Sequence, residues 1–152
     1  MEIRRIREAT DPELLRLIAK SDEYLSGLYP PESNHAEALD SLLSRDAAFF
    51  ACYIDGAVAA CGGVKVLSDD VEFGEIKRVF VDENHRGKNL ATIMMKHLES
   101  WLLANGIRIA RLEAGPKQPA ALSLYRKLGY TERGPFGAYQ PDPLSVFMEK
   151  TL

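Results

Sequence analysis

One continuous stretch, from Glu75 to Leu98, constrains the fold most because it predicts a strand that leads directly into a helix. Residues 75–81 (EIKRVFV) form a short run with β-branched and aromatic side chains, which is typical of a core strand. Turn-forming residues follow at 82–84, and from Leu90 onward apolar residues recur at helical spacing. The loop at 86–89 contains a glycine that permits close backbone approach, and the helix start offers unpaired N–H donors. The stretch therefore predicts an anion-binding loop between a strand and a helix.

Length and charge narrow the class of protein. The chain has 152 residues, which favours one domain over 1–152 that buries a core without disulfide or metal staples. The net charge is −3 and no Lys/Arg run exceeds two residues, so neither nucleic acid nor an anionic membrane is an expected partner. The amino terminus carries charges where a signal peptide needs an apolar core. Cys52 and Cys61 lack C-x-x-C spacing, which favours buried reduced thiols, and we expect a cytoplasmic protein without a metal site.

The first half of the chain predicts a strand, two helices and a hairpin. An opening strand at 3–6 precedes a capping sequence at 10–13 and a helix that extends to about Ser26 and must stop before the prolines at 30–31. A short second helix fits residues 39–44. Residues 48–54 and 57–67 then read as two strands around Asp55-Gly56, a pair that favours a primed hairpin turn.

The second half alternates strands and helices. The third helix is expected from about Gly87 to Ala104, where Asn105-Gly106 closes it. A strand at 108–114 follows this strand–helix unit, so it should pair in parallel with the central strand through a right-handed crossover. A fourth helix at 118–128 and strands at 132–136 and 144–150 complete the chain. The predicted fold is α/β (α+β), a mixed central sheet flanked by helices in the order β-α-α-β-β-β-α-β-α-β-β.

Two motifs connect this order to a known family. Residues 86–91 (RGKNLA) match neither the Walker loop nor the dinucleotide fingerprint, but they resemble the R/Q-x-x-G-x-G/A loop of the GCN5-related N-acetyltransferases (GNAT). Asn89 stands where the middle glycine is usual, and Asn tolerates positive φ better than most residues. Residues 121–130 (ALSLYRKLGY) resemble the A-x-x-L-Y-x-x-x-G-F/Y helix of the same family. The resemblance covers nearly the whole chain, and the segments 29–35 and 135–150 look like those of a bacterial branch of the family.

The resemblance implies an acetyltransferase that uses acetyl-CoA as its acyl-donor cosubstrate. The backbone of Phe80 and Val81 would pair with the pantetheine arm where the central strand and the 108–114 strand separate. Gln118 and Tyr125 would flank the cofactor, and dimers are common in the family, so a homodimer is an expectation. The pyrophosphate would bind the loop residues Arg86, Gly87, Lys88, Asn89, Leu90 and Ala91.

The implied chemistry is attack of a primary amine on a thioester in a ternary complex, which requires a base, an oxyanion donor and an acid. The family offers the Val81 N–H as the oxyanion donor, and Tyr125 matches its proton donor, although Tyr125 could instead be a core aromatic. Glu113 and Glu75 compete as the base, because apolar surroundings would raise the pKa of either carboxyl. Each could equally be a strand residue facing solvent. Glu113 is preferred because some family members carry a glutamate there.

The acceptor end is expected between the first two helices. The turn between these helices carries Tyr29, Glu32, Ser33, Asn34 and His35, which could recognise the amine substrate. Alternatively, Ser33 or Asn34 could simply cap the second helix.

Two cations on the central strand, Lys77 and Arg78, are unusual for a buried element and could bind a carboxylate of the acceptor. A small-molecule amine, such as an amino acid or a related anionic amine, is therefore the first hypothesis. The alternatives are a protein N-terminal or lysine acetyltransferase, and a non-catalytic acyl-CoA-binding module.

Overall fold

The computed structural model describes residues 1–152 and contains one seven-stranded sheet with four α-helices and two 3₁₀ turns. The observed order confirms the predicted one. The elements are β1 (Glu2–Ile6), α1 (Pro12–Leu28), a 3₁₀ turn (Pro31–Ser33), α2 (Leu39–Leu42), β2 (Ala47–Ile54), β3 (Ala57–Ser68), β4 (Glu72–Val81), a 3₁₀ turn (Glu83–His85), α3 (Leu90–Ala104), β5 (Ile109–Ala114), α4 (Pro119–Lys127), β6 (Thr131–Arg133) and β7 (Val146–Thr151).

The strands lie in the order β1-β2-β3-β4-β5-β7-β6, and only the β4–β5 pair is parallel. The predicted parallel crossover through α3 is therefore confirmed. At the β2–β3 hairpin, Asp55 has φ 50° and Gly56 has φ 81°, so both turn residues adopt the left-handed conformation that the Asp-Gly pair predicts.

The core has two layers, one on each face of the sheet. Alternate residues of β2 point to opposite faces, so Phe50 packs with the α3 side and Phe49 with the α1–α2 side. Met94 and Leu98 of α3 belong to the first layer. Cys52 and Cys61 are buried free thiols, one in each layer, as the sequence predicted. No helix combines the length and apolarity needed to cross a membrane.

Three local predictions were wrong. Neither Ser33 nor Asn34 caps α2: that helix begins at Leu39 after Ala38, without a side-chain cap, and Ser33 instead ends a 3₁₀ turn. The third helix begins at Leu90 rather than near Gly87, because Asn89 takes a left-handed conformation (φ 58°) that cannot continue a helix. The strand expected at 132–136 is shorter and ends at Arg133.

Candidate active site

A cleft opens where β4 and β5 separate. The two strands pair only at Gly74–Ala110 and Glu75–Arg111, although β4 continues to Val81 and β5 to Ala114. Val81 lies opposite Ala60 of β3, and the Asp82 N–H donates to the Ala59 carbonyl at 2.9 Å. In this antiparallel register the N–H and C=O of Val81 point away from β3, toward the cleft.

A bulge in β4 bends the strand beside this cleft. Cys61 pairs with Phe80 and Gly63 pairs with Lys77, so two β4 residues, Arg78 and Val79, face Gly62 alone. Arg78 has φ 60°, which is unusual for a residue with a side chain and costs backbone strain. The extra residue re-aims the side chains on either side of it. β4 itself has no turn-forming residue at this bulge, and the one sequence signal is the Gly62-Gly63 pair on the facing strand, since glycine inside a strand often accompanies a bulge.

Three cavities that share parts of their walls follow the cleft. The narrow cavity (about 110 Å³) lies between β4, β5 and α1; the loop cavity (about 510 Å³) lies between the 85–92 segment and α4; the outer cavity (about 890 Å³) lies beside the 136–142 loop. Phe80, Gln118 and Tyr125 line both the narrow and the loop cavities. His35 and Lys77 line both the narrow and the outer cavities.

The loop cavity brings together nine of the ten residues proposed for the cofactor, and its wall contains Phe80, Val81, Arg86, Gly87, Asn89, Leu90, Ala91, Gln118 and Tyr125. Lys88 is the exception, since its exposed amino group lies 3.2 Å from Nδ1 of His85. Gly87 has φ 80°, and no side chain caps the first turn of α3. The N–H groups of that turn are therefore free to bind an anion, with the positive end of the helix dipole behind them.

Glu113 and Tyr125 both line the narrow cavity. Glu113 forms no ion pair, and burial raises the pKa of its carboxyl above the usual range. Burial also raises the pKa of Tyr125 to about 12, so this phenol is neutral at pH 7 and can donate a proton. A base with a raised pKa and a neutral acid in one cavity is the arrangement that acyl transfer to an amine requires.

Glu75, the other base candidate, sits in a different environment. It is 4% exposed and lines the outer cavity, not the narrow one. Its carboxylate accepts a hydrogen bond from the Tyr139 hydroxyl and pairs with Lys77 at 3.3 Å. Glu75 therefore holds the side chains of Tyr139 and Lys77 in position.

The two β4 cations are also engaged. Lys77 donates to the His35 carbonyl at 3.1 Å and to the Tyr139 hydroxyl at 2.8 Å, and its amino group lies 3.6 Å from Glu37. Arg78 donates to the Glu37 carbonyl at 2.7 Å and pairs with Asp22. Both side chains line the narrow cavity, but neither is a free cation.

The turn after α1 closes the acceptor end from two sides. The buried Tyr29 hydroxyl accepts from the Lys117 N–H and donates to Oε1 of Gln118, both at 3.2 Å. The Ser33 hydroxyl donates to Asp142 at 2.6 Å.

The structure separates the members of this turn. Tyr29, Ser33, Asn34 and His35 line the narrow cavity, whereas Glu32 is exposed and lines only the outer cavity.

Sequence analysis missed three residues that hold this region, namely Glu37, Tyr139 and Asp142. Each acts through a partner far away in the chain, as in the Tyr139–Glu75 and Ser33–Asp142 hydrogen bonds. A tyrosine in a loop rich in Gly and Pro gave no local signal for such a contact.

Comparison with known proteins identifies the family. The Acetyltransferase (GNAT) family model matches residues 12–130. The chain is 41% identical over 139 residues to IAA acetyltransferase of Azospirillum brasilense, spanning 91% of this chain and 90% of that protein. It is 30% identical over 151 residues to the N-acetyltransferase YsnE of Bacillus subtilis, spanning 97% and 98%. The chain therefore belongs to the GNAT acetyltransferase family.

Solved structures agree with this assignment. A Klebsiella pneumoniae protein assigned as an acyl-CoA N-acyltransferase superposes with a TM-score of 0.79 and 36% identity, covering 99% of this chain and 97% of that one. The PaiA N-acetyltransferase of Thermoplasma acidophilum, solved with coenzyme A, shares the fold at a TM-score of 0.75, 18% identity and full coverage of both chains. The protein is an N-acetyltransferase that takes its acetyl group from acetyl-CoA.

Proposed function

We propose that the enzyme acetylates the primary amine of a small molecule, with Glu113 as general base and Tyr125 as general acid. The observation that carries the proposal is the closed acceptor end: the turn after α1 is tied to the β5–α4 segment through Tyr29 and to the 136–142 loop through Ser33. A cavity of about 110 Å³ admits a slender amine, and a protein acceptor could reach it only by extending a lysine side chain or a free N-terminus through the outer cavity. The relative named IAA acetyltransferase also supports a small-molecule acceptor.

The proposed reaction balances without any further reactant. The acceptor's ammonium loses a proton to the Glu113 carboxylate, directly or through water, and the free amine attacks the thioester carbonyl. The N–C bond forms, and the oxyanion accepts a hydrogen bond from the Val81 N–H, whose direction toward the cleft suits this role. The C–S bond then breaks, and the CoA thiolate takes a proton from Tyr125. The acceptor nitrogen loses its second proton to the Tyr125 phenolate, directly or through water, which restores the phenol, and Glu113 releases its proton to solvent.

The rest of the acceptor is proposed to lie in the outer cavity, because His35 and Lys77 belong to the walls of both cavities. The amine would then reach Glu113 from the side opposite to CoA, which approaches through the loop cavity. This arrangement gives the two substrates separate entrances, as direct transfer in a ternary complex requires.

An anionic acceptor, such as an amino acid, has less support than a neutral or cationic amine. Lys77 and Arg78 already pair with Glu75, Glu37 and Asp22, so an acceptor carboxylate must compete with these partners. A Lys77→Ala, Arg78→Ala double variant that folds and keeps its kcat/KM for the best amine would rule out a carboxylate site there. A loss confined to carboxylate-bearing amines would support one.

The central experiment measures CoA release from acetyl-CoA with a panel of small primary amines and with peptides that carry a free N-terminus or lysine. We expect turnover with small amines and none above background with peptides. Glu113→Gln is the matched control, because it keeps the shape of the site and removes the base. Faster acetylation of peptides than of every small amine would overturn the proposal in favour of a protein acceptor.

Two other predictions stay open. A cytoplasmic location is favoured by the two buried free thiols, since such thiols persist in reducing compartments. A homodimer also stays a prediction, which sedimentation of the purified protein would test.

A further inference from the structure

The narrow cavity is much smaller than the loop cavity, with which it shares part of its wall. The narrow cavity has about a fifth of the loop cavity's volume, at about 110 against 510 Å³. Phe80, Gln118 and Tyr125 stand on the shared wall, so a thioester that passes Phe80 delivers its acyl group into the narrow cavity. The same small space must also admit the attacking amine.

Tyr29 is an aromatic residue on the wall of that space that is held both at its hydroxyl and by the backbone beside its ring. It is 6% exposed, and its hydroxyl is fixed by Lys117 and Gln118 at 3.2 Å each. The ring lies directly on Gly115, where an added Cβ would overlap the phenol. Glycine at 115 therefore lets the ring reach the cavity wall, and the backbone behind the ring keeps it from moving aside.

We infer that Tyr29 is the residue that restricts the acyl donor to acetyl, because its immobile ring sets the depth of the narrow cavity. A propionyl or butyryl group needs one or two more methylenes of space, and these must either meet the Tyr29 ring or occupy the volume of the amine. A close-packed wall rejects each additional methylene by about tenfold or more. The inference deepens the proposed function, since it rests on the acyl group entering the narrow cavity.

The test is calorimetric titration with free CoA, acetyl-CoA, propionyl-CoA and butyryl-CoA, which needs no knowledge of the acceptor. The wild-type protein should bind propionyl-CoA about tenfold, and butyryl-CoA about a hundredfold, more weakly than acetyl-CoA. Tyr29→Leu should bring butyryl-CoA and acetyl-CoA within about twofold, because the smaller side chain opens the wall. Tyr29→Phe keeps the ring and should keep the discrimination.

The matched control is Tyr53→Leu. Tyr53 is also a buried tyrosine whose hydroxyl donates a hydrogen bond, here to Asp11 at 2.8 Å, but it lines none of the three cavities. Its variant should discriminate like the wild type, so a loss of discrimination there would point to general loosening and overturn the inference.

Two further results would overturn it. The first is equal affinity of the wild-type protein for butyryl-CoA and acetyl-CoA. This result would overturn the inference even if the Tyr29→Leu variant does not fold. The other is a Tyr29→Leu variant with the wild-type ratio. Failure of the proposed function looks different: chain-length discrimination would be present, yet no small primary amine would be acetylated.

Discussion

The loop cavity and the outer cavity flank the same narrow cavity, but they are built differently. Apart from Tyr24, the wall of the loop cavity comes from two short parts of the chain, 79–92 and 117–125. The wall of the outer cavity comes from four separate segments within 32–37, 65–69, 73–77 and 136–142, joined by ion pairs and hydrogen bonds. The loop cavity thus depends on local backbone geometry, whereas the outer cavity depends on side-chain contacts between segments that are distant in the chain.

The sharpest test of this contrast is Glu113→Gln, which should lower kcat about a hundredfold or more while leaving the Kd for acetyl-CoA within about twofold. Glu113 lies in the narrow cavity and not in the loop cavity, so removing its charge should affect chemistry alone. Because burial raises its pKa and the base acts as carboxylate, wild-type activity should fall as the pH drops through that raised pKa. Equal losses in kcat and cofactor affinity would contradict the separation of the two ends.

Tyr125→Phe should lower kcat by about ten- to a hundredfold, a smaller effect because water can also protonate the departing thiolate. Tyr125 lines both cavities, and its hydroxyl forms no hydrogen bond to another side chain, so the phenyl ring should stay in place. Cofactor binding measured by calorimetry should be retained. Unchanged turnover would make Tyr125 a packing residue only.

Changing Arg86 and Lys88 to Ala together should weaken acetyl-CoA binding by about tenfold, because two charges beside the free N–H groups of α3 are lost. The melting temperature with excess acetyl-CoA should rise less than in the wild type. The single variants separate the two contributions: we expect Arg86 to matter more, because it lines the loop cavity and Lys88 does not. A larger effect from Lys88 would reverse this assignment.

Glu113→Gln should also stabilise the fold at neutral pH. The pKa of Glu113 is raised in the folded state, so its stabilising contribution is present at low pH and is lost as the pH rises through the raised pKa. The melting temperature of the variant should exceed that of the wild type near pH 7, and the gap should close near pH 4. Such a difference would show that the charged Glu113 carboxylate lowers the stability of the fold at neutral pH.

The smallest effect is expected at Asn89. Its left-handed conformation (φ 58°) should make Asn89→Ala about 1 kcal/mol less stable than Asn89→Gly, because only glycine adopts this region without a Cβ penalty. Chemical denaturation of the two variants measures the difference directly. Equal stability would mean that the loop rearranges when its side chain changes.

The parts of the molecule that the sequence predicted are those in which neighbours along the chain act on each other. The Asp55-Gly56 turn follows from two adjacent residues that favour left-handed backbone conformations. The loop motif at 86–91 and the helix motif at 121–130 were similarly readable, so the cofactor end could be proposed from sequence.

Only the tertiary structure determined which residues form the proposed acceptor end and which partners they have. The left-handed Arg78 arises from the pairing of β4 with β3, where Gly62 faces two residues, and no property of arginine predicts it. Glu113 and Glu75 looked alike in sequence, but sheet topology left Glu113 without an ion pair and gave Glu75 two partners, Tyr139 and Lys77. The physical reason is that a side chain's charge state and mobility depend on what the fold packs against it, and those neighbours lie dozens of residues away.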